Sequence, residues 1–509
     1  MRSGIIRRST QAANGIRHAA FAVLLAVGLA PPALAQRADL EKIIRRTVLP
    51  NGLEVVAVEN QGVPLVTLEL VVRNGAFTQT PEYAGLAHLY EHMFFKANDR
   101  YPDPDETISR ASDMGAVFNA STREELVNYY LTVSADSVTA GMEFLAAAAI
   151  TPKFLPDELA REREVVIGEY DQQESSPFFR FDQEMGRRLW TTQFSRKNPI
   201  GDRDVIRATT PAKMRAIKDL YYIPNNSLLI IAGDVDPAAV FAMAERIFGG
   251  WKRGGDPFAA APIPPIPPLT HNVGYVHEEP VNAVTVQIQW HGPSVRKDEA
   301  ATFVADVFSD LLNAAGSRFQ KRLVDNGLWE GVIVNYYTLN NVGPITVSGQ
   351  TSPERLRAAL KALDAELREV LKPGYFSAEE MDAAKAQRAV SSAFEREKAS
   401  AFSHTIGFWW SVSGLEYYMK YVDEMARQTP AQLQAYARKY IIDRPHVVGV
   451  MLSPEAQARL KLTEDELAQW GAAPTRAVPA VPVKTPVKTP AKTPAKPPAQ
   501  RPMAPGGLT

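Results

Sequence analysis

Leu86-Ala87-His88-Leu89-Tyr90-Glu91-His92-Met93-Phe94-Phe95 reads as one short helix with two chemically different faces. At about 100° per residue, Leu86, Leu89, Tyr90 and Met93 fall on one side. His88, Glu91, His92 and Phe95 fall on the other. The two imidazoles stand one turn apart, so both can reach a single ion, and the carboxylate between them points at the same place. A zinc ion takes neutral nitrogen and carboxylate ligands, and a catalytic site keeps one position open for water. Glu91 then stands where it can take a proton from a water that the metal has acidified.

Two histidines and a base do not complete such a site. The segment Arg161-Glu162-Arg163-Glu164-Val165-Val166-Ile167-Gly168-Glu169 supplies the missing ligand. Glu162 and Glu169 lie seven residues apart, two turns on one helix face. One can bind the ion while the other orients a ligand or the water from behind. The expected complement is one zinc ion per chain. A purely structural zinc is usually closed by four protein ligands, often cysteine, and this chain has no cysteine. That absence also removes disulfides, thiolate metal sites, cysteine nucleophiles and lipoprotein acylation. No G-x-S-x-G elbow, P-loop or dinucleotide fingerprint offers a rival chemistry. His271, His277, His291, His404 and His446 occur singly and read as surface or core residues.

The chain around this helix has 509 residues, 45% of them apolar, which is enough for two or three domains. A formal net charge of −1 points to neither a nucleic acid nor an anionic membrane as partner. Arg2, Arg7, Arg8 and Arg17 precede an apolar run from Ala19 to Ala30. Ala33-Leu34-Ala35 then forms a small-x-small cleavage site. Residues 1–35 therefore read as a signal peptide, with the mature protein starting at Gln36 and exported to the periplasm. No later stretch is long and apolar enough for a spanning helix.

Strand and helix patterns then occur twice. Over residues 47–72, Asn51-Gly52 is a turn signal ahead of two β-rich runs. Helical periodicity follows over 81–97, 107–115, 136–149, 156–171, 211–220 and 237–248, with strand runs at 127–133 and 227–232. Residues 254–270 are proline-rich and read as an extended linker. Beyond it the pattern restarts. Strand runs occupy 273–276, 284–290, 331–337, 344–349 and 447–452, and helices occupy 297–312, 353–371, 378–397 and 430–440. The mixture predicts α+β architecture, with a metal-bearing domain over 36–253 and a second domain of similar pattern over 271–473. From residue 474 the chain repeats Lys-Thr-Pro and Lys-Pro-Pro units, a composition that cannot form a core and reads as a disordered tail.

The order H-x-x-E-H is the inverted zincin motif. With Leu49-Pro50-Asn51-Gly52-Leu53 before it, and Tyr221-Tyr222-Ile223-Pro224-Asn225-Asn226 and Ala232-Gly233-Asp234-Val235 after it, the sequence resembles the insulinase, pitrilysin and mitochondrial-processing-peptidase family over about residues 45–455. The resemblance implies two homologous α/β-sandwich-like domains facing each other as a clamshell. It implies His88, His92 and Glu169 as zinc ligands, Glu91 as catalytic base and Glu162 as an assisting acidic residue. Gly115-Ala116-Val117-Phe118-Asn119-Ala120-Ser121-Thr122 resembles the family's edge strand, which makes Asn119 and Ala120 candidates for binding a peptide as an added strand.

The family's second half normally supplies an Arg and a Tyr, seven apart, to hold the substrate carbonyl. Aligned from Gly316-Ser317-Arg318-Phe319, those positions hold Leu323 and Glu330. A one-residue slip gives Arg322 and Trp329, so Arg322 is the remaining candidate and the tyrosine is missing. Two functions are expected from this. One is an exported zinc metalloendopeptidase acting on short or unfolded peptides. The other is a partner-dependent or non-catalytic subunit, and the sequence leaves room for a homodimer or a heterodimer with a related chain.

Overall fold

The computed structural model of the chain describes residues 36–472. The expected signal peptide and the tail from residue 474 lie outside the described residues. Among the described residues no helix is long and apolar enough to cross a membrane.

Two sheets organise the molecule. The first contains β1 (Ile44–Val48), β2 (Glu54–Glu59), β3 (Leu65–Val72), β4 (Val117–Thr122), β5 (Val127–Ser134) and β6 (Ser227–Gly233) in the order β1-β2-β6-β3-β5-β4. The second contains β7 (Val273–Glu278), β8 (Val284–His291), β9 (Gly331–Tyr336), β10 (Pro344–Thr351) and β11 (Val447–Leu452) in the order β7-β11-β8-β10-β9. Without β1 the two orders correspond strand for strand. Each has a parallel pair, β2 with β6 and β7 with β11, and antiparallel pairing elsewhere. The expectation of two α+β halves with one architecture therefore stands.

The helices used below are α1 (Leu86–Phe94), α2 (Val138–Ile150), α3 (Pro156–Glu174), α4 (Pro177–Trp190), α5 (Val295–Asn313), α6 (Leu356–Glu369), α7 (Ala378–Phe394) and α8 (Ala399–Val412). Alternation along each strand sends side chains to opposite faces. On β3, Val66, Leu68, Leu70 and Val72 join the core under α1 and α2. Val71 faces the other way, into a second cluster with Val56, Ile230, Phe402, Ile406 and Trp410. The first sheet is thus buried on both faces, which is why β2 and β6 read as nearly unbroken apolar runs.

That second face is covered by α8, which belongs to the second half of the chain. The exchange is reciprocal, since Phe181 and Met185 of α4 pack on Val447 and Met451 of the second sheet. Both contacts depend on glycine. A Cβ on Gly407 of α8 would come within 2.7 Å of Val71, and one on Gly449 of β11 within 2.3 Å of Met185. Each half therefore completes the core of the other. The expected linker holds a short helix, Pro257–Ala260, in an otherwise irregular path.

Other element boundaries depart from the periodicity in understandable ways. Residues 81–83 form a separate 3-10 turn before α1. The helix expected over 378–397 breaks at Phe394, and α8 begins at Ala399. The helix α4 carries a stripe of Phe181, Met185 and Leu189 that was a usable signal, whereas α8 is apolar on most sides and shows none.

Candidate metal centre

The apolar face of α1 fixes the ligands on its other face. Leu86, Leu89 and Tyr90 are fully buried and Met93 is 1% exposed. Tyr90 stacks on Tyr222 and Phe94 on Tyr129, with centroids 3.9 and 3.5 Å apart. The helix starts at Gly85, whose φ of +90° suits glycine and whose missing side chain lets the Ile200 carbonyl approach. Buried Gln79 caps this end, its Oε1 accepting from the Gly85 and Ala87 N–H groups at 2.9 and 3.4 Å. Phe95 does not continue the polar face as the periodicity implies. The helix ends at Phe94, and Phe95 turns into the core against Phe118 and Phe144.

His88, His92 and Glu169 form the one group of possible metal ligands found among the described residues. His88 Nε2 and His92 Nε2 are 3.3 Å apart, and Glu169 Oε2 lies 3.5 Å from each. Two ligands at roughly 2.0–2.1 Å from a tetrahedral zinc ion sit about 3.3–3.4 Å apart. The three atoms therefore fit zinc as three corners of a tetrahedron, with the fourth corner left for water or substrate. Two helices make this triangle. α1 contributes the histidines one turn apart, and α3 lies against it and contributes Glu169.

Glu91 is held apart from the ligands. Its Oε2 accepts from the Thr122 hydroxyl of β4 at 2.7 Å, which leaves Oε1 for a proton. Glu162 stands behind His92, with Oε2 3.4 Å from Nδ1. Lys96 donates to its other oxygen at 2.5 Å. Of the two acids on α3, then, Glu169 meets the imidazole Nε2 atoms and Glu162 meets Nδ1 of His92, a position from which a carboxylate can orient the ring. Thr122, Lys96 and Gln79 were not singled out from the sequence, although Lys96 lies one turn beyond His92 and that spacing was a usable signal.

The two imidazoles are shifted in opposite directions. Burial, then the charge on His92, pushes the His88 imidazole down to about 4, which keeps it neutral. Burial also opposes a charge on His92, but the hydrogen bond to Glu162 and the charges of Glu169 and Glu91 outweigh it and raise the group. Burial raises the Glu91 carboxyl against the Thr122 hydrogen bond. Glu162 is lowered, because its bonds to His92 and Lys96 overcome its burial.

The remaining candidates divide between the halves. Asn119 and Ala120 lie on β4, the edge of the first sheet, with Asn119 exposed and its Oδ1 accepting from the Ala120 N–H at 2.8 Å. Arg322 is tied within the second half. It donates to Glu366 at 3.1 Å, and Glu366 also accepts from the Tyr375 hydroxyl at 2.6 Å. Leu323 is 1% exposed, Trp329 donates its Nε1–H to the Ala359 carbonyl, and Glu330 is exposed.

Comparison with known proteins matches both halves of the chain to one peptidase family. Residues 54–200 match the model of the insulinase family, peptidase family M16, and residues 208–388 match that of the peptidase M16 inactive domain. The chain belongs to the M16 peptidase family. Among its M16 relatives is the zinc protease PqqE of Helicobacter pylori, 28% identical over 289 residues. That match covers 54% of this chain and 63% of the relative. YmxG of Bacillus subtilis, an uncharacterized zinc protease, is 22% identical over 66% of this chain and 81% of its own length. The fold is shared with the first half of the periplasmic protease PqqL of Escherichia coli, at a TM-score of 0.71 and 18% identity over 86% of this chain and 99% of that structure. The M16 relatives' names support the expectation of a zinc metallopeptidase.

Proposed function

We propose that the chain is an exported zinc metalloendopeptidase of short or unfolded peptides. The observation that carries this reading is the triangle of His88 Nε2, His92 Nε2 and Glu169 Oε2 with the Glu91 carboxylate beside it. Zinc bound there supplies a Lewis acid that polarises the scissile carbonyl and lowers the pKa of water. Glu91 Oε1 takes the proton of the attacking water and delivers it to the departing amine, while Thr122 holds Oε2. Glu162 keeps the His92 ring in register through Nδ1. The peptide adds to the outer edge of β4 at Asn119 and Ala120, so main-chain bonding tolerates many sequences. Export rests on Ala33-Leu34-Ala35 and on the periplasmic description of the Escherichia coli neighbour. Zinc analysis and peptide turnover of the purified chain, with and without chelator, test the reading. A zinc-loaded chain that cleaves no unfolded peptide would count against it.

One observation favours a second reading, a partner-dependent subunit. Leu323 is buried, Glu330 can only accept hydrogen bonds when ionised, and Arg322 is engaged by Glu366. Of the three only Arg322 carries side-chain donors, one of them given to Glu366, and no tyrosine accompanies it at the expected spacing. A related chain carrying the Arg and Tyr would complete the site.

A further inference from the structure

The two halves meet over a buried carboxylate that the chemistry above does not use. Glu69 lies in the middle of β3, on the face covered by α8, and is 0% exposed. Asn128 Nδ2 donates to its Oε1 at 2.7 Å, and the Ser403 hydroxyl bonds to Oε2. His404 Nδ1 reaches the same Oε2 at 2.8 Å. Burying a carboxylate costs several kcal/mol, and an apolar residue in its place is often neutral or stabilising. Stability alone gives no reason for Glu69. What the carboxylate does is fix the imidazole of His404, whose side chain is 34% exposed.

The register shows where that ring stands. Glu69 pairs with Tyr130 on β5, and Tyr130 pairs with Asn119 on β4. Directly paired residues share a sheet face. The row Glu69, Tyr130, Asn119 therefore runs outward to the free edge, and the His404 ring packs on Tyr130 with centroids 4.4 Å apart. A peptide added beyond β4 places the residue opposite Asn119 on this same face. Strands are about 4.8 Å apart, so that residue stands about two strand spacings from Tyr130, within reach of a long side chain leaning back over Asn119.

We propose that His404, a second-half residue oriented by Glu69, is a specificity-determining residue that selects a long basic side chain on the substrate residue opposite Asn119. With Nδ1 engaged by Glu69, Nε2 is the ring atom left to meet the substrate, and it accepts where Nδ1 carries the proton. Behind the ring stands the buried Glu69 carboxylate. A lysine or arginine supplies the donor, the length and the complementary charge. This rests on the peptidase reading, with the peptide on the β4 edge.

The test is binding of labelled unfolded peptides to the full zinc-loaded chain carrying Glu91→Gln, read by fluorescence anisotropy. One Lys is moved a position at a time through an Ala/Ser peptide and compared with Leu, Gln and Glu at each place. One position should favour Lys over Leu by about tenfold, the size expected of a hydrogen bond to a charged group. His404→Asn keeps a donor to Glu69 through Nδ2 but removes Nε2. It should abolish that preference alone, with zinc content, melting temperature and the other positions unchanged. His404→Gln, which restores a polar atom near the Nε2 position, should recover part of it. A Lys preference that survives His404→Asn, or no preference at any position, overturns the inference while leaving the peptidase standing. If no peptide binds either form, the peptidase reading falls and takes this inference with it.

Discussion

The two halves of the molecule share a strand order and differ at the place of the candidate metal centre. Counted from the strand before each helix, His88, Glu91 and His92 of α1 correspond to Val307, Asp310 and Leu311 of α5. Counted from the helix start, Glu162 and Glu169 of α3 correspond to Ala384 and Ser391 of α7. Every ligand has become a residue that cannot bind zinc. The acid that remains, Asp310, is clamped by Arg388 through Nε at 3.0 Å and a second, shorter contact. A cleft of about 870 Å³ persists between the two helices, lined by Asp310, Ala384, Arg388 and Ser391. The same pair of helices thus carries the candidate metal triangle in one half and an ion pair beside an open cleft in the other.

The sheet edges differ in the same direction. β9 corresponds to β4 as the edge strand, yet its outer backbone groups are occupied. Asn313 Nδ2 donates to the Val334 carbonyl at 2.7 Å, and Asn313 Oδ1 accepts from the Val334 N–H at 2.9 Å. Gln320 donates to the Val332 carbonyl at 3.0 Å. These amides stand in for a neighbouring strand and protect an apolar edge from pairing. On β4 the corresponding side-chain bond is that of Asn119 to the next residue's N–H. The edge with fewer such bonds belongs to the half with the candidate metal triangle, and the sealed one to the other half.

The largest expected effect tests the chemical half of this contrast. Glu91→Gln should retain zinc and lower turnover by about 10²–10⁴, the usual worth of a general base. Asp310→Asn, at the corresponding place, should leave kcat/KM within about twofold. His88→Ala should lose the metal. Zinc content and peptide hydrolysis measured on the three variants decide it. Equal losses from Glu91→Gln and Asp310→Asn would mean that the second cleft takes part in the reaction.

The next effect concerns the donor that the second half does not offer. Loss of one donor to the transition-state oxyanion commonly costs about 10²–10³ in rate. The isolated chain should be slow by that factor, and a related chain bearing the Arg and Tyr should restore it without changing the zinc content. Arg322→Ala should not alter turnover, because Arg322 is bound to Glu366. Full activity from the lone chain would show that another second-half group supplies the donor.

How much of this was legible depends on how local each feature is. His88, Glu91 and His92 lie within one turn and a half, so helix periodicity alone groups them. The pairing of Glu162 with His92, and of Glu169 with both imidazoles, needs two helices to be placed together, which spacing does not determine. The resemblance named both acids with their roles; the fold puts Glu169 against both Nε2 atoms and Glu162 against Nδ1 of His92. Asn313 and Gln320 act across the fold on β9, and Glu69 meets His404 across the interface between halves. Such contacts leave no periodic trace. Even the core strands misled in one respect, since apolar runs such as Leu228 to Ala232 show burial on both faces but not that the cover comes from the other half of the chain.

The sealed edge predicts a moderate effect. Asn313→Ala frees the Val334 N–H and C=O, and leaving buried backbone groups unpaired costs roughly 1–3 kcal/mol. Chemical denaturation should show that loss. The variant should also self-associate as concentration rises, through the reopened edge, in sedimentation or light scattering. An equivalent Asn119→Ala change should leave stability nearly untouched, because Asn119 is exposed and bonds only its neighbour. Equal costs at the two positions would break the distinction between an open and a sealed edge.

An effect of similar size, confined to a pH window, comes from an acid one turn before Asp310. Asp306 of α5 sits where the first half places buried Ala87, and its Oδ2 accepts from the Tyr421 hydroxyl at 2.7 Å. Burial, only partly offset by Tyr421 and Arg388, pushes this carboxyl up to about 7 from an ordinary 3.8. Below pH 4 the folded and unfolded chains both hold the proton, and Asp306 adds no pH dependence. Between pH 4 and 7 the unfolded chain has released it and the folded chain has not, so stability falls as pH rises through this window. Above 7 the full penalty applies. Asp306→Asn keeps an acceptor for Tyr421 and removes the charge that must be buried. Its stability relative to the parent should therefore grow from pH 4 to pH 8, by roughly 1–3 kcal/mol after allowance for partial solvation. Urea denaturation at several pH values measures the slope. The difference should appear with the Glu91→Gln background as well, since the two sites lie in different halves and share no partner. A pH-independent difference would mean that Asp306 is ionised in the folded chain. It would then be part of the Asp310–Arg388 ion pair that replaces the metal, and not a neutral residue beside it.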